Sequence, residues 1–179
     1  ETWEIVDQFI QAREIVRKSG RQVTGVAFMG MGEPFLNYPR VMAAAELFCY
    51  PVKEAISAKA ITVSTVGLAA EIDRFTGERR PFRLSISLGA ATDEKRQQIV
   101  PVAARTPVAE IMAAARRHAE AIKGRVMLSY VCIQRFNTSR DDARALGELI
   151  GNTPVRLDLI EVTDPAGYYR APAAAAVQE

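Results

Sequence analysis

The sequence is poor in histidine and cysteine, two side chains often recruited for metal binding: 179 residues include one histidine and two cysteines. Cys49 and Cys132 stand far apart and outside any C-x-x-C spacing, which argues against a disulfide framework or a self-contained metal site. Two buried, reduced thiols are expected. His118 lies in a helical segment beside Arg116, Arg117 and Glu120, so a structural role at or near the surface is expected and no Ser-His-Asp arrangement can be argued. No apolar run reaches the roughly 18 residues of a membrane span, and no basic-then-apolar leader opens the sequence. A soluble, cytoplasmic protein without a membrane partner is expected. Neither sign of charge is in excess: 23 basic residues against 21 acidic leave a net charge of +2, which neither demands nor excludes nucleic acid.

What is present suits one globular domain, with 49% hydrophobic and 25% charged residues. Its core is expected over residues 1–165, followed by an Ala- and Pro-rich tail, 166–179, expected to be poorly ordered. The sequence starts at Glu1, already inside a helical pattern of Trp3, Val6, Phe9, Ile10 and Val16, and so reads as an excised piece.

Beyond that helix, runs rich in Val, Ile and Leu alternate with amphipathic segments. Strands are expected at Val23 to Met29, Ala60 to Val66, Phe82 to Leu88, Arg125 to Ile133 and Val155 to Val162, several of them apolar almost throughout, as in covered parallel sheets. A helix over Val108 to Lys123 turns Ile111, Met112, Ala115 and Ala119 to one face, with Thr106 as N-cap and Pro107 in its first turn. Ser139 and Asp142 form a capping box for the next helix, and Gly151 is placed to end it. This alternation is α/β, with parallel strands and right-handed crossovers. An open doubly wound sheet and a complete or partial β/α barrel both satisfy it.

In either architecture ligands sit at the carboxyl ends of the strands. There the sequence places Gly30, Gly32 and Glu33, then Ser64, Thr65 and Gly67, then Ser87 and Gly89, and Asn137 beyond the fourth strand. Each alone is ordinary, since Gly-x-Gly turns and Ser or Thr caps are common. Their shared placement points to a polar small-molecule site, with Glu33 as its carboxylate and Pro34 restricting the backbone before it. The lysines, Lys18, Lys53, Lys59, Lys95 and Lys123, fall away from those ends, which argues against Schiff-base chemistry. Asp158 and Glu161 alternate on the last strand, and Arg79, Arg80 and Arg83 are expected in a solvated turn at the opposite end.

Four segments, FMGMGEPFLNYPRVMAAAELF, ITVSTVGL, LSISLGAATDEKRQQIVPV and VMLSYVCIQRFNTSRDDARALGELIGNTPVRLDLIEV, carry a resemblance in order and spacing over most of residues 20 to 165. They resemble the radical S-adenosylmethionine enzymes that methylate an adenine carbon in ribosomal and transfer RNA. The resemblance implies a partial (β/α)6 TIM-like barrel with the first strand missing, S-adenosylmethionine at the carboxyl rim, a 4Fe-4S cluster and an electron donor for it. It also implies site residues: Gly32 and Glu33 receiving the methionyl ammonium, Ser64 as a polar contact, Ser87 and Leu88 in a cofactor-contacting turn, and Asn137 as the nucleoside-side amide.

The family's three-cysteine cluster loop has no counterpart here, so the ligands of the cluster are expected outside this chain, and the chain alone is expected to be inactive. Catalytic residues cannot be assigned, because the family's C-terminal methyl-carrying cysteine also lacks a counterpart. Gly89 stands where the family reads Ser-Leu-His, and Thr138 where it reads aspartate after the asparagine. These departures leave two further readings, a radical enzyme with a non-RNA substrate and a cluster-less S-adenosylmethionine or nucleotide-binding barrel. With the first strand missing, Val23 to Met29 is expected to form an exposed edge through which chains self-associate.

Overall fold

The computed structural model describes residues 1–51, 55–100 and 106–173. All five expected strands form, trimmed at their ends, and alternate with helices: α1 (Thr2–Lys18), β1 (Val26–Phe28), α2 (Tyr38–Phe48), β2 (Ile61–Thr65), α3 (Ala69–Gly77), β3 (Arg83–Ser87), α4 (Asp93–Ile99), α5 (Val108–Ile122), β4 (Val126–Cys132), α6 (Arg140–Ile150) and β5 (Val155–Glu161). Short 3-10 turns occupy Pro34–Asn37 and Ala58–Ala60. The strands follow the order β1-β2-β3-β4-β5 in one sheet. Pairing is parallel from β1 to β2 and from β3 through β4 to β5. The order never reverses, as in a singly wound barrel wall, and so lacks the switch point of a doubly wound sheet.

Two compact units divide the chain, and the division passes through β3. The first unit comprises Glu1–Thr65 with Arg80–Leu84. Phe48 of α2 organises its core, lying 4.3 Å from the Phe9 ring of α1 and stacking on Phe28 of β1 at 6.1 Å. Tyr38, Val41, Met42, Ala44 and Ala45 complete the buried stripe of α2. The apolar stripe of α1 is barely used, since none of its residues is buried and Trp3 is 69% exposed. Arg80 pairs with Glu46 rather than standing solvated in a turn.

The second unit comprises Val66–Arg79 with Ser85–Glu179. Helices α3 and α5 pack together there, and Ile72 and Phe75 of the one and Ile111, Met112 and Ala115 of the other are all buried. Each fully buried large side chain contributes roughly 1.5–3 kcal/mol. His118, expected at or near the surface, is buried instead, beneath the Phe75 ring at 5.8 Å and against Thr76. The Thr76 hydroxyl gives its one proton to the Ile72 carbonyl at 2.8 Å and accepts from Nδ1–H of His118 at 2.8 Å. Burial pushes the imidazole pKa down.

Helix α5 is capped from a distance. Pro107 holds the N-cap position without a side-chain bond, Thr106 lies outside it, and Asp93 of α4 accepts the Val108 N–H at 2.8 Å. The Ser139–Asp142 capping box of α6 forms as expected, with Gly151 ending the helix at φ 52°. β4 and β5 pair over seven residues, Val126↔Val155 to Cys132↔Glu161. The chain then folds back, with Gln134 N–H donating to Arg170 C=O at 2.8 Å and Pro172 buried. Residues 174–179, the remainder of the expected tail, lie outside the described residues, as does Lys53. No described helix is long and apolar enough to cross a membrane.

Candidate functional site

The carboxyl end of β1 runs into a bend, Gly30 to Gly32, before the 3-10 turn that leads into α2. Gly32 holds φ +91°, and a Cβ at Gly30 or Gly32 would meet nothing within 4 Å, so the backbone here is bare and open. Glu33 follows in extended conformation, φ −117° and ψ 112°, the region that Pro34 imposes on its predecessor. Its carboxylate Oε1 accepts the Phe35 N–H at 2.9 Å, so Glu33 is the N-cap of the 3-10 turn, a role the motif alone did not disclose. Phe35 and Tyr38, buried with rings 5.5 Å apart, anchor that turn. The half-buried carboxylate is thereby fixed beside open backbone. Ser64, at the end of β2 in the same unit, is 8% exposed and Thr65 beside it is 1% exposed. Thus Gly32, Glu33 and Ser64 all stand at strand ends of the first unit.

Ser87, Leu88 and Asn137 belong to the second unit. Ser87 is half-buried at the end of β3, and Leu88 is fully buried with its N–H bonded to the Ser129 carbonyl of β4 at 3.0 Å. Gly89 turns the chain at φ +77°. Asn137, 2% exposed, spends its amide on the backbone: Nδ2 donates to Gly89 C=O at 2.9 Å and to Val131 C=O at 2.7 Å, while Oδ1 accepts from Ile133 N–H at 2.7 Å. Its own carbonyl accepts the Tyr130 hydroxyl at 2.9 Å, and burial raises the pKa of that phenol.

Two charged residues join this rim unannounced by the sequence. Arg96, 1% exposed, donates through Nε to Leu88 C=O at 3.0 Å, through Nη1 to Thr106 C=O at 3.2 Å, and through Nη2 to Val66 C=O. Burial lowers its pKa, with the Asp93 charge opposing. Lys95, expected away from the strand ends, pairs with Asp142 and stands 5.9 Å over the Phe136 ring. Burial pushes Asp142 up, yet the hydrogen bonds from Lys95 and Ser139 outweigh it and hold the carboxyl below its ordinary range. Lys95, Arg135, Phe136 and Pro172 are among the residues lining a cavity of about 350 Å³ beside β4.

No set of three or more His, Cys, Asp or Glu side chains able to hold a metal ion occurs among the described residues. The two cysteines are free, Cys132 buried and Cys49 half-buried, and burial raises both thiol pKa values. Neither is the lowered thiolate that an iron–sulfur cluster requires.

No protein-family profile matches the chain. A curated relative from Myxococcus xanthus, a probable RNA methyltransferase, is 42% identical over 172 residues, covering 96% of this chain and 47% of the relative. A probable dual-specificity RNA methyltransferase RlmN from Heliobacterium modesticaldum is 41% identical over 92% of this chain and 43% of its own length. The crystal structure of a radical SAM methyltransferase from Sphaerobacter thermophilus superposes with a TM-score of 0.89 at 34% identity, over 97% of this chain and 51% of that one. Over nearly its whole length the chain is thus similar to radical SAM and RNA methyltransferases. It spans about half the length of the curated relatives it matches. A domain of a pyruvate-formate lyase-activating enzyme from Bacteroides vulgatus, at TM-score 0.61 and 21% identity, shares the fold alone. The partial barrel wall that the resemblance implied is the architecture this chain shares with the Sphaerobacter structure.

Proposed function

We propose that this chain is the S-adenosylmethionine-binding part of a radical RNA methyltransferase acting on adenine in ribosomal or transfer RNA. The observation that carries this reading is the Glu33 carboxylate, held by its cap to Phe35 N–H beside the open backbone of Gly30 and Gly32. That cradle fits an amino-acid ammonium group: the carboxylate supplies the countercharge, and the missing Cβ atoms leave room for the methionyl backbone.

The bound cofactor supplies the methyl group and the radical chemistry. In this reading Ser64, in the same unit as Glu33, offers a hydroxyl, while Ser87 and Leu88 of the second unit are proposed contacts in their own right. Asn137 has both amide hydrogens committed, so it can offer a ligand only the second lone pair of Oδ1, as an acceptor for a nucleoside hydroxyl. A 4Fe-4S cluster does not fit the thiols of this chain, so its ligands belong outside these residues, together with the electron donor that would serve it. The same misfit favours a second reading, a binding barrel that holds S-adenosylmethionine or a nucleotide without catalysis.

Titration calorimetry with S-adenosylmethionine tests the cradle. Glu33→Gln keeps an acceptor oxygen for the Phe35 N–H and removes only the charge. The expected result is loss of binding by at least about tenfold, the lower range for a charge-assisted bond, with the fold unchanged. Equal affinity in Glu33→Gln overturns the assignment. To separate the two readings, the protein is supplied anaerobically with iron and sulfide, and its electron paramagnetic resonance spectrum is read with and without S-adenosylmethionine.

A further inference from the structure

Two loops of the second unit, Gln134–Asn137 after β4 and Thr163–Arg170 after β5, are tied together by the Gln134 N–H bond to Arg170 C=O at 2.8 Å. Both follow carboxyl ends of strands, and the first contains Asn137. Tyr168 is 86% exposed and Tyr169 41% exposed, a large aromatic surface left to solvent in one short segment.

This segment is built rather than loose. The Asp164 carboxylate accepts the Ala166 N–H and the Tyr169 N–H at 2.9 Å each, and Gly167 N–H donates to the Asp164 carbonyl at 3.0 Å. An ordered turn therefore presents an aromatic ring that no core requires.

Cations accompany the rings. Arg135 is exposed and holds φ +60°, and neither its guanidinium nor that of Arg170 has a hydrogen bond or ion pair among the described residues. Asp164 is engaged by backbone N–H groups and Asp142 by Lys95 and Ser139. Arg135 lines a cavity of about 350 Å³ together with Pro172, two residues beyond Arg170.

Unpaired guanidiniums with interleaved exposed aromatics match the chemistry of unstacked nucleic acid: phosphates take the cations, and bases stack on the rings. We infer that the Arg135–Tyr168–Arg170 surface binds an unpaired RNA segment, with Tyr168 as the stacking platform and the two arginines as phosphate contacts. This rests on the RNA-methyltransferase reading and adds to it the surface that holds the substrate strand.

Fluorescence anisotropy on the full chain tests it, using a labelled oligoadenylate of about 12 nucleotides, free and annealed to its complement. The single strand is expected to bind more tightly than the duplex. Tyr168→Ala is expected to weaken single-strand binding about tenfold, and Tyr168→Phe, which keeps the ring, to restore it. Arg135→Ala and Arg170→Ala are each expected to lower the slope of log K against log salt by about 0.7. Equal affinity in Tyr168→Ala, a preference for duplex, or a Tyr168 shielded from chemical modification in the free protein overturns the inference. Titration with S-adenosylmethionine on the same variants keeps the two readings apart. Intact cofactor binding with RNA affinity indifferent to Tyr168 refutes only this surface, whereas RNA binding that depends on Tyr168 without any cofactor affinity refutes only the methyltransferase reading.

Discussion

Asn137 Nδ2 donates to the Gly89 carbonyl at 2.9 Å, so a side chain from the loop after β4 holds the turn that ends β3. Removing it strands two buried carbonyls and the Ile133 N–H, and each unsatisfied group costs about 1–3 kcal/mol. Asn137→Ala is expected to lower stability by at least about 2 kcal/mol, read as a lower urea midpoint at unchanged slope. A midpoint equal to that of the unaltered chain would mean the amide network carries nothing.

Two glycines with left-handed backbone should respond differently to alanine. At Gly32, φ +91° imposes strain of about 1–2 kcal/mol, but the space is empty. At Gly89, φ +77° imposes similar strain, and a Cβ would also stand 3.2 Å from Val100 Cγ2 and 3.3 Å from Ile99 Cδ1. Gly89→Ala is therefore expected to cost more than Gly32→Ala in thermal melts. The reverse order contradicts the packing described.

His118 makes the protein acid-sensitive. Its folded pKa lies below the ordinary 6.5, so the unfolded chain takes up the proton first as pH falls. The stabilisation of the neutral ring is complete above 6.5 and is lost as pH drops through the folded value. His118→Gln, which can still donate to Thr76, is expected to flatten the stability curve in that window. Asp142, held below its ordinary 3.8, adds a second loss only at more acidic pH.

Both edges of the sheet bear on self-association. β1 has three residues, whereas β5 has seven and leaves Leu159 49% and Ile160 39% exposed. A longer edge with exposed apolar side chains is the stronger template for pairing. Leu159→Lys is expected to lower the concentration-dependent mass seen by light scattering. An equal substitution at Ala27 of β1 should do less. If the Ala27 substitution has the larger effect, β1 is the pairing edge.

The strands and most helices were legible because their signals are local. Apolar runs ending in glycine or hydroxyl residues mark β1, β2 and β3, and the Ser139–Asp142 box marks α6 within four residues. What escaped was non-local. Helix α5 takes its cap from Asp93, fifteen positions upstream of Val108 in the chain, and no reading of Thr106-Pro107 contains that partner. Arg96 sits in Asp-Glu-Lys-Arg-Gln-Gln, a composition of solvated surface, yet it is buried because backbone carbonyls replace water around it. The placement of Glu33 was legible from Pro34 and the glycines, but its capping bond was not, since a carboxylate before proline has several acceptor roles.

The guanidinium of Arg96 collects the carbonyls of Val66, Leu88 and Thr106, one from each of three separate connections. None of these segments can swing away from the guanidinium without breaking a bond to a buried cation. The loops after β2 and β3 and the entry to α5 should therefore open together or not at all, and their amides should exchange hydrogen at one common rate.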